Sequence, residues 1–165
     1  MVQKTNINIA GLVNKEGCFD LQFRKDTRRK RLNSPTYYRW KIQFVVTEPK
    51  ENLKILQTFK KEFDCGQVCI SKGQARYSVQ KIDDINNKVI PFLRKNKLSG
   101  KKEKDFELWQ KASDIIYRNK GKYLASWKKN DLHSLIEIQK SSAKYKNRQK
   151  QPKWIEMAKA LSKTN

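Results

Sequence analysis

Few side chains in this sequence suit covalent or metal chemistry. His133 is the only histidine, and Cys18, Cys65 and Cys69 make an odd number of thiols. Cys65 and Cys69 have the spacing of half a zinc site, but no second pair completes four ligands, so zinc is set aside. Carboxylates and cations remain. Among the carboxylates, Glu16 closes a stretch that is apolar or small over residues 6–13 and directly precedes Gly17. An acid near a helix C-terminus opposes the macrodipole, which makes it an odd choice for structure alone; an ordinary helix-end acid is the alternative. A carboxylate is a hard oxygen donor. Mg²⁺ takes such ligands, one or two carboxylates completed by phosphates.

The cations say what such a site would meet. Lys and Arg number 38 against 16 Asp and Glu, a formal charge of +22 over 165 residues. That much like charge repels itself in a compact state, and a polyanion is the usual reason for it, since each neutralised phosphate releases counterions. Solubility or a membrane surface are the alternatives. The charge is spread along the chain with no dominant amphipathic basic helix, which favours nucleic acid. No apolar run approaches the roughly 20 residues needed to span a bilayer, so no membrane partner is expected. Hydrophobic residues at 37% and aromatics at 10% suffice for a modest core. Met1 is followed within a few residues by an apparent folded helix, so no signal peptide is read. Unpaired thiols fit a reducing compartment, a bacterial cytoplasm or an organelle matrix or stroma.

The elements that must position these groups follow from periodicity. Residues 6–13 form a buried helix capped by Thr5 or Asn6. Phe19, Leu21 and Phe23 then alternate with Cys18, Asp20, Gln22 and Arg24, a strand with one apolar face. A basic loop over residues 25–34 leads to a second alternating run, Trp40, Ile42, Phe44 and Val46 against Arg39, Lys41, Gln43 and Val45. Thr47 starts a helix with Pro49 in its first turn and Leu53, Leu56, Phe59 and Phe63 as its stripe. A second hairpin turns at Lys72-Gly73, with Val68, Ile70, Tyr77 and Val79 on its apolar face. Ile82, Ile85 and Val89 mark a helix that Pro91 breaks or kinks at Ile90. Residues 94–104 form a basic turn around Gly100, before a long helix with Phe106, Trp109, Ala112 and Ile116. A basic helical tail includes Leu132, Leu135, Ile136 and Ile138.

This is an α+β class, ordered helix, two strands, helix, two strands, helix, then tail. Both hairpins in one sheet place every polar strand face on one side and the helices on the other. A solvated outer face is one reading of that polar side. Arg and Gln side chains, which read guanine and adenine edges, make a surface for the major groove the better one.

The stretch Ile9-Ala10-Gly11-Leu12-Val13-Asn14-Lys15-Glu16-Gly17, followed by Cys18-Phe19, resembles the signature of the LAGLIDADG homing endonucleases. Thr47-Glu48 and Gly100-Lys101-Lys102-Glu103-Lys104-Asp105-Phe106 also resemble the family's patterns, and the likeness covers residues 5–118. It implies an αββαββα fold with a four-stranded antiparallel, saddle-shaped sheet in residues 1–118, and a basic helical extension over residues 119–165. Single-motif members of the family act as homodimers, so Ile7, Ala10, Gly11 and Asn14 are expected at a helix–helix interface between two copies. The implied activity is site-specific double-strand cleavage of a long, near-palindromic duplex with Mg²⁺ (or Mn²⁺). A binding protein of the same fold, for intron RNA, is the alternative.

The same likeness assigns Glu16 and the carbonyl of Lys15 to the metal. It places Lys102 near the scissile phosphate, and Glu48 and Asn52 in the water network. Asn14 departs from the family, which has an acid there; a short polar residue can cap similarly. Cys18, Asp20, Gln22, Arg24, Asp26, Arg39, Lys41, Gln43, Gln67, Cys69, Ser71, Lys72, Arg76, Ser78 and Gln80 are expected to face DNA. Arg28, Arg29, Lys30 and Arg31 would reach the outer half-site, and Lys140, Lys144, Lys146 and Arg148 the phosphates.

Overall fold

The computed structural model describes residues 8–25 and 38–142. Helix α1 (Ile9–Glu16) runs directly into β1 (Gly17–Lys25), and β2 (Tyr38–Pro49) pairs antiparallel with β1. A 3₁₀ turn (Lys50–Asn52) leads into α2 (Leu53–Phe63), then the hairpin β3 (Gln67–Ser71) and β4 (Gln74–Val79). Next come α3 (Ile82–Asp84), a π-helical turn (Ile85–Val89), α4 (Ile90–Lys95), α5 (Gly100–Arg118) and α6 (Lys129–Ser141). The sheet has four strands in the order β1-β2-β4-β3, all neighbours antiparallel.

The period-two alternation places Phe19, Leu21, Phe23, Trp40, Ile42, Phe44, Val46, Ala75, Tyr77 and Val79 on one face, where all are buried. Phe44 is its hub, with ring centroids of Phe19, Phe63, Tyr77 and Trp109 at 5.5, 5.8, 6.3 and 6.4 Å. Each side chain buried this completely contributes about 1.5–3 kcal/mol. The apolar stripes of α2 and α5 cover this face. Helix α6 joins the same core through Leu132, Leu135, Ile136 and Ile138. The helices also satisfy β1 backbone: the Trp109 indole N–H donates to the Asp20 carbonyl at 3.2 Å, and the Gln139 amide to that of Leu21 at 2.8 Å.

Several local expectations are corrected. The first helix starts at Ile9, not Asn6, because Asn8 caps it: its Oδ1 accepts the Gly11 N–H at 3.0 Å. Thr47 does not start a helix. Strand β4 supplies a partner for Thr47, Glu48 and Pro49, opposite Arg76, Ala75 and Gln74, so β2 runs on to Pro49. Pro91 does mark a change at Ile90, where a π-helical turn gives way to α4 without a gap. It falls in the first turn of α4, and the π-helical turn just before it relaxes the i→i−4 pattern that proline cannot join. Gly100 opens α5, so Lys101, Lys102 and Lys104 stand on a helix instead of a loose turn. Val45, expected on the polar face, is buried there, and Ile70 on edge strand β3 is 56% exposed instead of covered.

Candidate functional site

The motif helix and the first strand meet at Gly17 with almost no room. A Cβ built there lies 2.7 Å from both the Cγ1 and the carbonyl oxygen of Val13, closer than carbon tolerates. Glycine is therefore required by close approach, since its φ of −69° is open to any residue. This tight joint holds the exposed Glu16 at the mouth of α1, with the exposed Lys15 beside it. Helix α5 arrives at the same corner from 85 residues away. The Lys102 amine donates to the Gly17 carbonyl, and the Asn14 Oδ1 accepts the Ser99 N–H at 3.0 Å, just where α5 begins. Asn14 thus works within its own chain, tying the motif helix to the helix that carries Lys102.

Glu48 and Asn52 approach the corner along β2. Val46 pairs with Gly17, so Glu48 lies two residues beyond the start of β1. Its Oε2 accepts the Asn52 amide at 3.1 Å, and both residues are half-buried. The oxygen donors suit Mg²⁺, which keeps open positions for water and phosphate. Among the described residues no group of three His, Cys, Asp or Glu side chains could form an all-protein cage. The exposed Glu16 carboxylate, with the Lys15 carbonyl adjacent, is a partial set of that open kind.

The face of the sheet away from the core carries the other expected residues in register. Cys18, Val45, Ser78 and Gln67 form a row across all four strands, followed by Thr47, Arg76 and Cys69, then Pro49, Gln74 and Ser71. On the other side of that first row stand the pairs Asp20–Gln43, Gln22–Lys41 and Arg24–Arg39. Arg24, Gln67, Cys69, Ser71, Lys72, Arg76 and Gln80 are exposed, and Cys18, Gln22, Arg39, Lys41 and Ser78 are half-buried. Burial, then the charges of Arg24, Arg39 and Arg76, pull the Lys41 amine below the usual lysine range, and Asp20 opposes them. Such mutual repulsion suits a surface awaiting an anion.

Two expectations on this face change. Asp20 is only 2% exposed, so its carboxylate is not presented outward; it accepts the amides of Gln22 and Gln43 at 2.7 and 2.9 Å. Gln43 is likewise buried, at 6%. Lys140 stands on α6, its amine 3.3 Å from Glu137. Ile7, Asp26, Arg28, Arg29, Lys30, Arg31, Lys144, Lys146 and Arg148 lie outside the described residues. Of the α1 positions, Gly11 is exposed and Ala10 is partly buried against the core. Sequence reasoning missed the Asn14–Ser99 tie and the Asp20 network, for no local pattern marks either.

A four-stranded antiparallel sheet with helices on one face and a basic, amide-rich face open on the other defines an α+β protein. One carboxylate and one lysine meet at a corner of that fold. The model of the LAGLIDADG endonuclease family matches residues 9–113, and the chain belongs to this family. It is 31% identical over 104 residues to the probable intron-encoded DNA endonuclease 1 of Mycosarcoma maydis, covering 62% of this chain and 35% of that protein. It is 28% identical over 102 residues to the probable intron-encoded endonuclease 2 of Neurospora crassa, covering 61% and 22%. The chain therefore spans about a third or less of the curated relatives it matches. Its fold is that of the homing endonuclease I-TnaI, with a TM-score of 0.69, 22% identity and 94% of both chains covered. I-SmaMI, solved bound to uncleaved DNA with calcium ions, matches with a TM-score of 0.73 and 19% identity, over 92% of this chain and 47% of that one.

No helix among the described residues is long and apolar enough to cross a membrane. Cys18, Cys65 and Cys69 form no disulfide with one another.

Proposed function

We propose that this chain is a site-specific DNA endonuclease that hydrolyses one phosphodiester bond in each strand of a long, near-palindromic duplex as a homodimer. The observation that carries this reading is the meeting of Lys102 with the Gly17 carbonyl beside Glu16. It sets a carboxylate and a lysine at one corner of a cationic sheet face. The sheet lies in the major groove, where Arg24, Arg39, Lys41 and Arg76 meet base edges and phosphates.

Glu16, with the Lys15 carbonyl, would hold Mg²⁺ or Mn²⁺ against a scissile phosphate. When bound, such an ion activates water and offsets the charge of the pentavalent phosphorus. Lys102, fixed by Gly17, lends positive charge to the same phosphate. The Asn52 amide, held by Glu48, orients water at the edge of the site. Each copy supplies one such carboxylate, so two copies paired through α1 at Ala10 and Gly11 would serve two strands. That I-SmaMI, solved bound to DNA, is a chain about twice the span matched here favours pairing of two such units. The relatives' description as intron-encoded endonucleases supports the same activity.

Selection of bound duplexes from a random library, with Mg²⁺ added afterwards, tests the proposal. A near-two-fold site cut on both strands is expected, and Glu16→Gln should bind that site but not cut it. Cutting by Glu16→Gln at the wild-type rate would overturn the metal assignment. Selective binding without cutting would favour a binding protein, with structured RNA the next ligand to try.

A further inference from the structure

Asp20 stands on the cationic sheet face, paired across the strands with Gln43 and electrostatically coupled to Lys41. Asp20 is 2% exposed, and a single oxygen, Oδ2, accepts the side-chain amides of Gln22 at 2.7 Å and Gln43 at 2.9 Å. A carboxylate only accepts, so it can hold an amide by its NH₂ end and never by its carbonyl. Both glutamines are therefore fixed in one of their two orientations. Their carbonyl oxygens pay the consequence: Gln22 Oε1 and Gln43 Oε1 are buried with no hydrogen-bond partner. Leaving such an acceptor bare is unfavourable, so two on one face of a sheet call for a donor from elsewhere.

We infer that Asp20 is a specificity-positioning residue, which locks the amide of the half-buried Gln22 so that the base pair beneath it is read through an acceptor. Gln43, nearly fully buried, is the second clamp that holds the carboxylate in place. Gln22 keeps a second N–H on Nε2. Adenine, with N6 as donor and N7 as acceptor in the major groove, satisfies both ends of such an amide. Cytosine offers a single N4 donor. Guanine and thymine face it with acceptors only, so the lock works chiefly by exclusion, since the amide cannot flip to accommodate them. The long cations of the same face, Arg24, Arg39 and Lys41, must turn toward phosphates for the base edge to reach Gln22.

This inference rests on the DNA-binding reading above, and two measurements separate them. The first is the amide spectrum of the free full-length chain. The side-chain NH₂ protons of Gln22 and Gln43 should be protected from exchange in the wild type and lose that protection in Asp20→Ala. Unprotected amides in the folded wild type would overturn the lock, whether or not DNA binds. The second is base preference at every position of the selected duplex. Gln22→Met should erase one preference per half-site for an amino-bearing base. Asp20→Ala should relax the same position toward guanine, by about 5- to 150-fold, the worth of one bidentate amide–adenine pair. A uniform loss of affinity over all sequences, or relaxation at positions that Gln22→Met leaves untouched, would refute the positioning role. If Asp20→Ala does not fold, the wild-type amide spectrum and Gln22→Met still decide. A wild-type chain that prefers no duplex would sink the DNA reading, and the amide spectrum would judge the lock alone.

Discussion

Asn14 offers a perturbation whose sign can be worked from the structure in both directions. Its Oδ1 accepts the Ser99 N–H at 3.0 Å, immediately before the 19-residue helix α5. It therefore satisfies a backbone donor where α5 begins, reaching it from another helix. Replacing a capping side chain by alanine costs about 0.5–2 kcal/mol. Ser99 is exposed, so water can take the bared N–H, which keeps the expected loss for Asn14→Ala near the lower half of that range, about 1 kcal/mol. Asn14→Asp keeps the acceptor and adds a negative charge at the positive end of the α5 dipole. Lys101, Lys102 and Lys104, which that dipole disfavours, stand in the same first turns. The gain should be about 0.3–1 kcal/mol at low ionic strength. The stability order Ala, Asn, Asp is therefore expected from urea unfolding at neutral pH, spanning about 1.3–2 kcal/mol in all. The pH dependence has a definite sign. A carboxylate favoured in its charged form has a depressed folded-state pKa. Its extra stability is present above the ordinary aspartate value of about 3.9 and is lost as pH falls through the folded value. Asn14→Asp should thus lose its advantage over the wild type in acid and in high salt. An advantage that is constant from pH 7 to pH 3, or an alanine variant as stable as the wild type, would refute the tie between the two helices.

Gly17→Ala should destabilise the chain by about 1–3 kcal/mol, because its Cβ meets the Val13 backbone oxygen at 2.7 Å and backbone cannot yield as a side-chain tip can; denaturant unfolding checks it, and a loss below about 0.5 kcal/mol would mean the joint relaxes. Lys41→Met should raise the stability of the free protein at neutral pH and low salt while weakening duplex binding, since burial and three arginines hold that amine below its usual range. The sign follows from linkage: a lysine with a lowered folded-state pKa opposes folding while charged, and this penalty is relieved as pH rises toward the unfolded value, so the variant's advantage should shrink above neutral pH. Asp131→Asn should loosen α6, because its carboxylate accepts from Arg118 at 2.6 Å and from Asn119 at 3.0 Å where the helix begins; faster amide exchange confined to α6 is expected, and unchanged exchange would show that Leu132, Leu135 and Ile136 alone hold it. Duplex affinity should fall by orders of magnitude between low and physiological salt, as neutralising six or more phosphates requires, and a flat response would remove the electrostatic basis of binding.

What could be read from the residues was periodic or covalently local. The alternations around Phe19–Phe23 and Trp40–Val46, the turn at Lys72-Gly73 and the α5 stripe all depend on near neighbours along the chain, and each element stands where its pattern put it. The motif ending at Glu16-Gly17 was legible for the same reason, for it packs eight consecutive residues into one helix and a steric joint. Tertiary structure alone decided who meets whom across that periodic frame. Strand β2 continues through Glu48 because β4 offers hydrogen bonds that local propensity cannot foresee. Lys102 reaches Gly17, and Asn14 reaches Ser99, across 85 residues of sequence. Asp20 had the parity of an outward-facing residue, and its face was read correctly. Its burial was not legible, because alternation assigns a side chain to a face but leaves open whether its neighbours there, Gln22 and Gln43, close over it. Periodicity is a property of one strand or helix, whereas a hydrogen bond between distant side chains exists only once the packing has fixed both.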